Sequence, residues 1–288
     1  MNKSLDEREE NDYKINVLLF SILYPDKVIR NSESLNRVKE SRLFSSRSTS
    51  LSITYKRVRQ LNYRIHSHRF GETILKNDEE FTEIWREIHD IISSISDDDI
   101  IQKFEEKYAD KNKSLSSTLN DLFKSEFSKR GWASESPIFQ DRDYSENVWR
   151  LDFAKENISL EVGFNHSGTI AWNLLKPVIA SELNHVEKAI QTRIGVIICA
   201  TQRLQRAGNF DNAIGTYEKY VHHLKPLNTQ LTVPIVIIGL EAPDTFRIVE
   251  HFNEKGKKRG RVEGFYTNQI VDDATETYDE PLFDEDLD

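Results

Sequence analysis

From residue 62 onward the apolar positions fall into two periods. Tyr63, Ile65 and Ser67 alternate with polar neighbours, which predicts a short strand. Phe81, Ile84, Trp85, Ile88, Ile91, Ile92 and Ile95 recur at helical spacing and predict one amphipathic helix. Leu115, Leu119, Leu122, Phe123 and Phe127 predict a second helix, with Gly131 placed as its stop. The charged stretch 97–114 between them reads as a loop or a loosely held helix.

A two-strand pattern follows. Trp149, Leu151 and Phe153 share one face of the first strand, and Arg150 and Asp152 share the other. In the second strand Ile158, Leu160, Val162 and Phe164 face one way, and Ser159, Glu161, Gly163 and Asn165 face the other. Lys155–Glu156–Asn157 suits a hairpin turn. A helix is expected after Gly168 with Ile170, Leu174, Val178 and Leu183 as its stripe, kinked or broken at Pro177. Arg193–Ala200 and Thr232–Leu240 read as buried strands. Between them lie a polar loop at 201–212 and a helix to Leu224 capped by Asp211, with Ile214, Tyr217, Val221 and Leu224 on its stripe. The order helix, helix, hairpin, helix, strand, helix, strand predicts an α/β sandwich around a mixed β-sheet flanked by helices.

The first 60 residues carry no such order beyond one possible helix at Asp6–Leu23. Between Arg37 and Arg69 stand nine Lys or Arg and a single acid, Glu40, in a segment that is Ser-rich to residue 52. Such an arm fits phosphate contact or a solvated linker. The chain has 288 residues, 38% hydrophobic and 30% charged, which suggests polar extensions around a compact core. Its net charge of −9 is misleading, because residues 271–288 hold nine acids and no Lys or Arg. Residues 1–270 are therefore formally neutral, and the acidity does not argue against an anionic partner. The tail itself reads as a solvated end, or alternatively as a phosphate mimic shielding a basic cleft. No apolar run approaches the ~18 residues of a spanning helix. Val17–Tyr24 follows Asp6, Glu7, Glu9 and Glu10 where a secretory signal would be basic, and Cys199 has no cysteine partner. A soluble, cytoplasmic protein is expected.

Candidate chemistry centres on the hairpin. Asp152 and Glu161 stand nine residues apart and point off the polar faces of adjacent strands. Two neighbouring carboxylates repel unless a cation lies between them, and carboxylate oxygens suit a hard divalent ion such as Mg2+ or Mn2+. Such an ion polarises a phosphoryl oxygen and acidifies water, the chemistry of phosphodiester hydrolysis. With 48 acids in the chain, a pair at this spacing also arises by chance, as two solvent-facing acids on an edge hairpin. His89, His185, His222 and His223 make no zinc spacing with Cys199, and no Gly-rich nucleotide loop is present.

The segment 151–164, Leu-Asp-Phe-Ala-Lys-Glu-Asn-Ile-Ser-Leu-Glu-Val-Gly-Phe, closely resembles the catalytic hairpin of the BglII/BstYI-type restriction endonucleases. That group belongs to the PD-(D/E)xK nuclease superfamily, with BamHI a more distant relative. Ile84-Trp85-Arg86-Glu87-Ile88 resembles the family's early helix, and Leu119–Lys124 with Gly131-Trp132 resembles its second helix and exit. Val233–Leu240 resembles its last core strand, so the likeness runs in order over residues 62–243. It implies a restriction-endonuclease-like core and a Mg2+-dependent type II site-specific deoxyribonuclease. The enzyme would act as a homodimer on a short palindrome in double-stranded DNA, with a cognate DNA methyltransferase in the same system. The implied organisation is an N-terminal extension at 1–60, a nuclease domain at 61–250, and a basic cluster with an acidic tail at 251–288.

Carried over by residue, Asp152 and Glu161 become metal ligands and Val162 offers its backbone carbonyl. Gly163 departs from the family, which has there a Gln or Glu that positions the attacking water, and from the superfamily, which usually has Lys. Three readings stay open: Asn165 reaches back to the water, the substrate phosphate and a metal-bound water suffice, or the site is weakened or dead. Asn165 and His166 occupy positions that the family directs toward bases, and Asn120 matches a family Asn at a phosphate-side or supporting contact. Gln202, Arg203, Arg206, Asn209 and Asn212 in the loop suit base edges, Arg for guanine and Asn for adenine, or form a solvated loop. Lys176 and Arg193 are further basic candidates or surface charge. Lys255, Lys257, Lys258, Arg259 and Arg261 suggest a flexible clamp on the DNA backbone. The alternatives are a catalytically silent DNA-binding dimer and a structure-selective nuclease of the same superfamily, such as a junction resolvase.

Overall fold

The computed structural model describes residues 60–144, 146, 149–182 and 185–265. The helix expected at Asp6–Leu23, most of the basic arm and the acidic tail lie outside these residues. The two arm residues inside them serve the fold. Arg64 pairs with Glu241 at 2.5 Å, and Arg69 donates to the carbonyls of Leu231 and Asn228.

Six strands make one mixed sheet: β1 (Tyr63–His68), β2 (Ala133–Pro137), β3 (Arg150–Lys155), β4 (Ile158–Gly163), β5 (Ile194–Ala200) and β6 (Ile235–Leu240). Their spatial order is β1-β6-β5-β4-β3-β2, with β4, β5 and β6 parallel and the remaining neighbours antiparallel. The parallel centre explains the unbroken apolar runs, since such strands are covered on both faces. Along β5, Ile194, Val196, Ile198 and Ala200 enter one apolar cluster, while Ile197 and Cys199 enter another on the opposite face.

Helices α1 (Gly71–Asn77), α2 (Glu79–Ser94), α3 (Asp97–Lys107) and α4 (Ser116–Lys129) belong with the first cluster. Helix α2 is capped by Asp78, which accepts from the Glu80 amide, and buries the stripe read from its sequence. Helix α4 ends where Gly131 takes φ +78°. The Trp132 amide reaches the Phe127 carbonyl and the Gly131 amide reaches that of Ser128, a Schellman stop.

The stretch 97–114 is more ordered than its charge suggests. Ser96 and Asp99 form a reciprocal capping box that starts α3, and Ile100 and Phe104 are wholly buried. Two apolar anchors one turn apart are too sparse to stand out as a stripe, yet they bind the helix to the core. Phe104→Ala should therefore destabilise the fold by roughly 3–5 kcal/mol in a urea titration. A loss under about 1 kcal/mol would mean that this helix is only loosely held.

Helices α5 (Ile170–Ser181) and α7 (Tyr217–Leu224) cover the other face. Pro177 does not break α5. Its ring packs against bare Gly195 on β5, where a Cβ would come within 2.6 Å of the proline Cβ. The polar loop contains a short helix, α6 (Gln202–Ala207), capped by Thr201 and anchored by buried Leu204. Asp211 accepts from the Ala213 amide in a local turn, and α7 starts only after Thr216.

Strand β2 has no counterpart in the sequence reading. Its five residues, Ala-Ser-Glu-Ser-Pro, are mostly exposed, and it is an edge strand, where proline and charge are tolerated. The late basic cluster lies in a second hairpin, β7 (Phe246–Phe252) with β8 (Lys258–Gly264), rather than in a free clamp. Phe246 and Ile248 join the core, Lys258 pairs with Glu250 at 2.8 Å, and Arg259 donates to the Asp110 carbonyl. Gly260 lies flat on this contact, where a Cβ would come within 2.9 Å of the Phe104 ring. Among the described residues no helix is long and apolar enough to cross a membrane.

Candidate active site

The β3–β4 hairpin turns through Glu156 and Asn157, with Glu156 at φ 50° and Lys155 paired with Ile158. Its ladder runs to the pair Phe153 and Leu160. One step further on, side chains take over the bonding. The Val162 amide donates to Asp152 Oδ2 at 2.8 Å, and the Asp152 amide points at Glu161 Oε1 at 3.4 Å. Each acid thus accepts from the opposite strand, and the two carboxyl groups are brought together where the strands part.

Strand β4 is buried along its whole length, because α5 covers the face that carries Ser159, Glu161 and Gly163. That face is polar in sequence but not solvent-facing. Glu161 is only 1% exposed, and its Oε2 accepts from Lys176 Nζ at 2.7 Å, itself 8% exposed on α5. Burial, followed by the charge of Asp152, pushes the Glu161 carboxyl up to about 8 against the opposing effect of Lys176. Asp152 is also raised, chiefly by burial, with Glu135 adding to the rise and the Val162 amide and Lys176 opposing it. Both acids therefore carry an unfavourable charge that a cation would relieve.

A cleft of about 370 Å³ opens over this point. Asp152, Val162, Asn165 and Asn120 line it together with Tyr108, Ser117, Asp121, Lys124, Ser134, Glu135 and Phe153. Glu161 lies behind this lining. Four residues singled out in the sequence thus meet in one cleft: Asn120 from the exposed side of α4, Asp152 from β3, Val162 from β4, and Asn165 just past the end of β4. His166 lines a second cleft of about 250 Å³ with Lys113, Phe164 and Phe210, and its Nδ1 accepts from the Gly168 amide.

The loop candidates are distributed differently. Arg203 and Arg206 line a third cleft of about 350 Å³ with Arg247 and Phe265, which shares no residue with the cleft at Asp152. Asn209 has φ 53° and donates to the Lys113 carbonyl at 2.7 Å, so its amide ties the loop to the segment before α4. Asn212 is exposed, and its carbonyl accepts from Lys219. Arg193 pairs with Glu80.

Two residues of the site escape a reading by spacing. Glu135 lies on the unrecognised β2. Lys176 looks like surface charge, but it follows Asn173 by three positions on the buried side of α5. That placement, a charged residue beside an apolar stripe, is its one sequence-level signal.

The donor set fits a hard divalent ion. Two carboxylates on adjacent strands and a backbone carbonyl are oxygen donors, and Mg2+ is commonly held by one or two carboxylates plus waters. Among the described residues there is no group of three or more His, Cys, Asp or Glu suited to a metal, so such an ion would rest on this pair.

No curated protein matches the chain. Solved structures similar to it include two of BglII. The crystal structure of restriction endonuclease BglII complexed with a DNA 16-mer shares 17% identity at a TM-score of 0.48, covering 71% of this chain and 100% of that one. Free BglII shares 16% identity at 0.41 with the same coverage. The pattern of the restriction endonuclease BglII/BglIII family matches residues 63–240, from the first residue of β1 to the last of β6. The match takes in the whole six-stranded sheet and the Asp152–Glu161 hairpin within it, and the chain belongs to this family of nucleases.

Proposed function

We propose that the protein is a Mg2+-dependent type II site-specific deoxyribonuclease that cuts a short palindromic site in duplex DNA as a homodimer. The observation that carries this reading is the reciprocal bonding of Asp152, which lines the cleft, with Glu161 behind it, in a chain of restriction-endonuclease family. Asp152, Glu161 and the Val162 carbonyl would hold the ion, which supplies charge stabilisation at the phosphate and acidifies a water. In the reaction the water oxygen bonds to phosphorus as the bond from phosphorus to the 3′ oxygen breaks. The leaving oxygen takes up a proton, the water gives one up to solvent, and a 3′ hydroxyl and a 5′ phosphate remain. Asn165, exposed in the same cleft, would orient the water or reach a base edge, and Asn120 on α4 would reach a phosphate. His166, Arg203, Arg206, Asn209 and Asn212 remain proposed DNA contacts, Asn209 through a loop that it also braces. A two-fold dimer places one such centre on each strand of a two-fold site. A methyltransferase of matching specificity is the expected companion.

Gly163 favours one competing reading, a silent DNA-binding dimer, because it lacks the family's water-positioning side chain. Incubation of the full chain with plasmid DNA and Mg2+ decides between them. Discrete fragments support the nuclease, gel shifts without cutting support the silent binder, and cutting confined to branched DNA supports a structure-selective enzyme.

The raised acid sets a pH dependence. Glu161 binds its proton more tightly when folded, so its stabilising contribution is complete below the ordinary value of about 4.5 and is lost as pH rises through about 8. The metal-free protein should lose melting temperature across that window. A divalent ion must displace the proton, so Mn2+ affinity should climb over the same range and level off above pH 8. Affinity that stays flat from pH 6 to 9 in calorimetry would place the ion elsewhere.

A further inference from the structure

Position 163 has no room for the side chain that the family places there. A Cβ on Gly163 would lie 2.3 Å from the Tyr220 hydroxyl and 3.4 Å from Asn173 Nδ2. Tyr220 is 1% exposed on α7, and its hydroxyl accepts from Asn173 Nδ2 at 2.8 Å. This bond joins α7 to α5 directly over the glycine, so whatever serves in place of the absent side chain must enter from another element.

One buried cation does enter. Three residues past Asn173 on the same helix, Lys176 reaches Glu161 Oε2. It is the one Lys or Arg among the described residues that bonds to either hairpin carboxylate. With Oε2 on the ammonium and Oε1 on the Asp152 amide, the Glu161 carboxylate is held from both sides. Burying a lysine costs several kcal/mol, and the direct ion pair with Glu161 offsets that cost.

We infer that Lys176 is the positioning residue of this centre. Its ammonium, delivered from α5, fixes the orientation of the Glu161 carboxylate, while the Tyr220–Asn173 pair keeps position 163 bare and α5 seated. The inference rests on the nuclease reading. It deepens that reading by naming a cation that orients the ion-holding carboxylate from behind the cleft.

The test uses the full chain with Lys176→Met, Lys176→Gln and Lys176→Arg, comparing melting temperature, gel shifts on cognate duplex in Ca2+, Mn2+ binding by calorimetry, and single-turnover cleavage in Mg2+. Lys176→Met should bind DNA as the parent does, yet lose about 10–100-fold in both Mn2+ affinity and cleavage rate. Lys176→Arg should recover most of both. The sign of the Mn2+ change discriminates. Deleting a cation that is merely nearby raises metal affinity by Coulomb's law, whereas losing the orientation of Glu161 lowers it. If Lys176→Met does not fold, Lys176→Gln, which keeps a donor but no charge, is compared with Lys176→Arg on the same measures. A folded Lys176→Met or Lys176→Gln protein with parental or tighter Mn2+ binding and parental cleavage overturns the inference. If the parent protein cuts no DNA, the nuclease reading fails separately, and the Mn2+ comparison still decides the role of Lys176.

Discussion

Asp152→Asn should abolish cleavage while leaving the protein folded. The amide oxygen can still accept from the Val162 amide, so the hydrogen bond at the mouth of the hairpin survives. Only the charge is lost, and that charge is one the apoprotein holds at a cost, because burial raises Asp152 and Asp152 in turn helps to raise Glu161. The metal-free variant should therefore melt no lower than the parent at pH 8, and its Glu161 should titrate lower. Catalysis goes the other way. With one of two carboxylates gone, the ion loses its anchorage and the several kcal/mol that it contributes to the transition state, or about 10³-fold in rate. Glu161→Ala should cost as much activity and also strand Lys176, so its melting temperature should fall as well. Single-turnover cleavage beside thermal melts separates the two effects. Asp152→Asn cutting within tenfold of the parent would sink the assignment of this hairpin as the reactive centre.

The second large effect concerns Gly163. Placing there the Gln or Glu that the resemblance implies should damage the protein rather than improve it. A Cβ alone meets the Tyr220 hydroxyl at 2.3 Å, and that hydroxyl is fully buried and bonded to Asn173. Making room requires moving α7 or breaking that bond, for which overpacking and a lost buried hydrogen bond together cost roughly 2–4 kcal/mol. Gly163→Ala should show much of this loss in urea denaturation, because the clash begins at Cβ. Tyr220→Phe removes the clashing oxygen and leaves the ring 3.2 Å away, so the double variant should recover part of the loss. Gly163→Ala as stable as the parent, with no coupling to Tyr220→Phe, would mean that the glycine is not enforced by packing.

The two experiments probe different properties of one place. Asp152 and Glu161 were legible because a hairpin with alternating faces sets its acids side by side whatever surrounds it. Gly163 was legible as a departure but not as a consequence. Its neighbours come from α5 and α7, 10 and 57 residues further along the chain, and no local period connects them to it. Lys176 was ambiguous for the same reason, since only the packing of α5 on β4 distinguishes a buried ion pair from a surface charge.

What the sequence determined by itself is the set of strongly periodic elements: the helices at Phe81–Ile92 and Leu119–Phe127, the Asp152–Glu161 hairpin, and the apolar runs that became β5 and β6. Hydrophobic burial is dictated one residue at a time, so these patterns survive in one dimension. The tertiary structure alone decided the rest. An edge strand of Ala-Ser-Glu-Ser-Pro pairs because β3 offers it a partner, not because its residues favour a strand. The late basic cluster is a hairpin because Phe246 and Ile248 join the core and Gly260 lies against Phe104 of α3. The charged face of β4 is an interior because α5 lies over it, which turns two ordinary carboxylates into a strained, cation-seeking pair. Desolvation and packing depend on which segments come together in space, and that information is not carried by the spacing of residues along the chain.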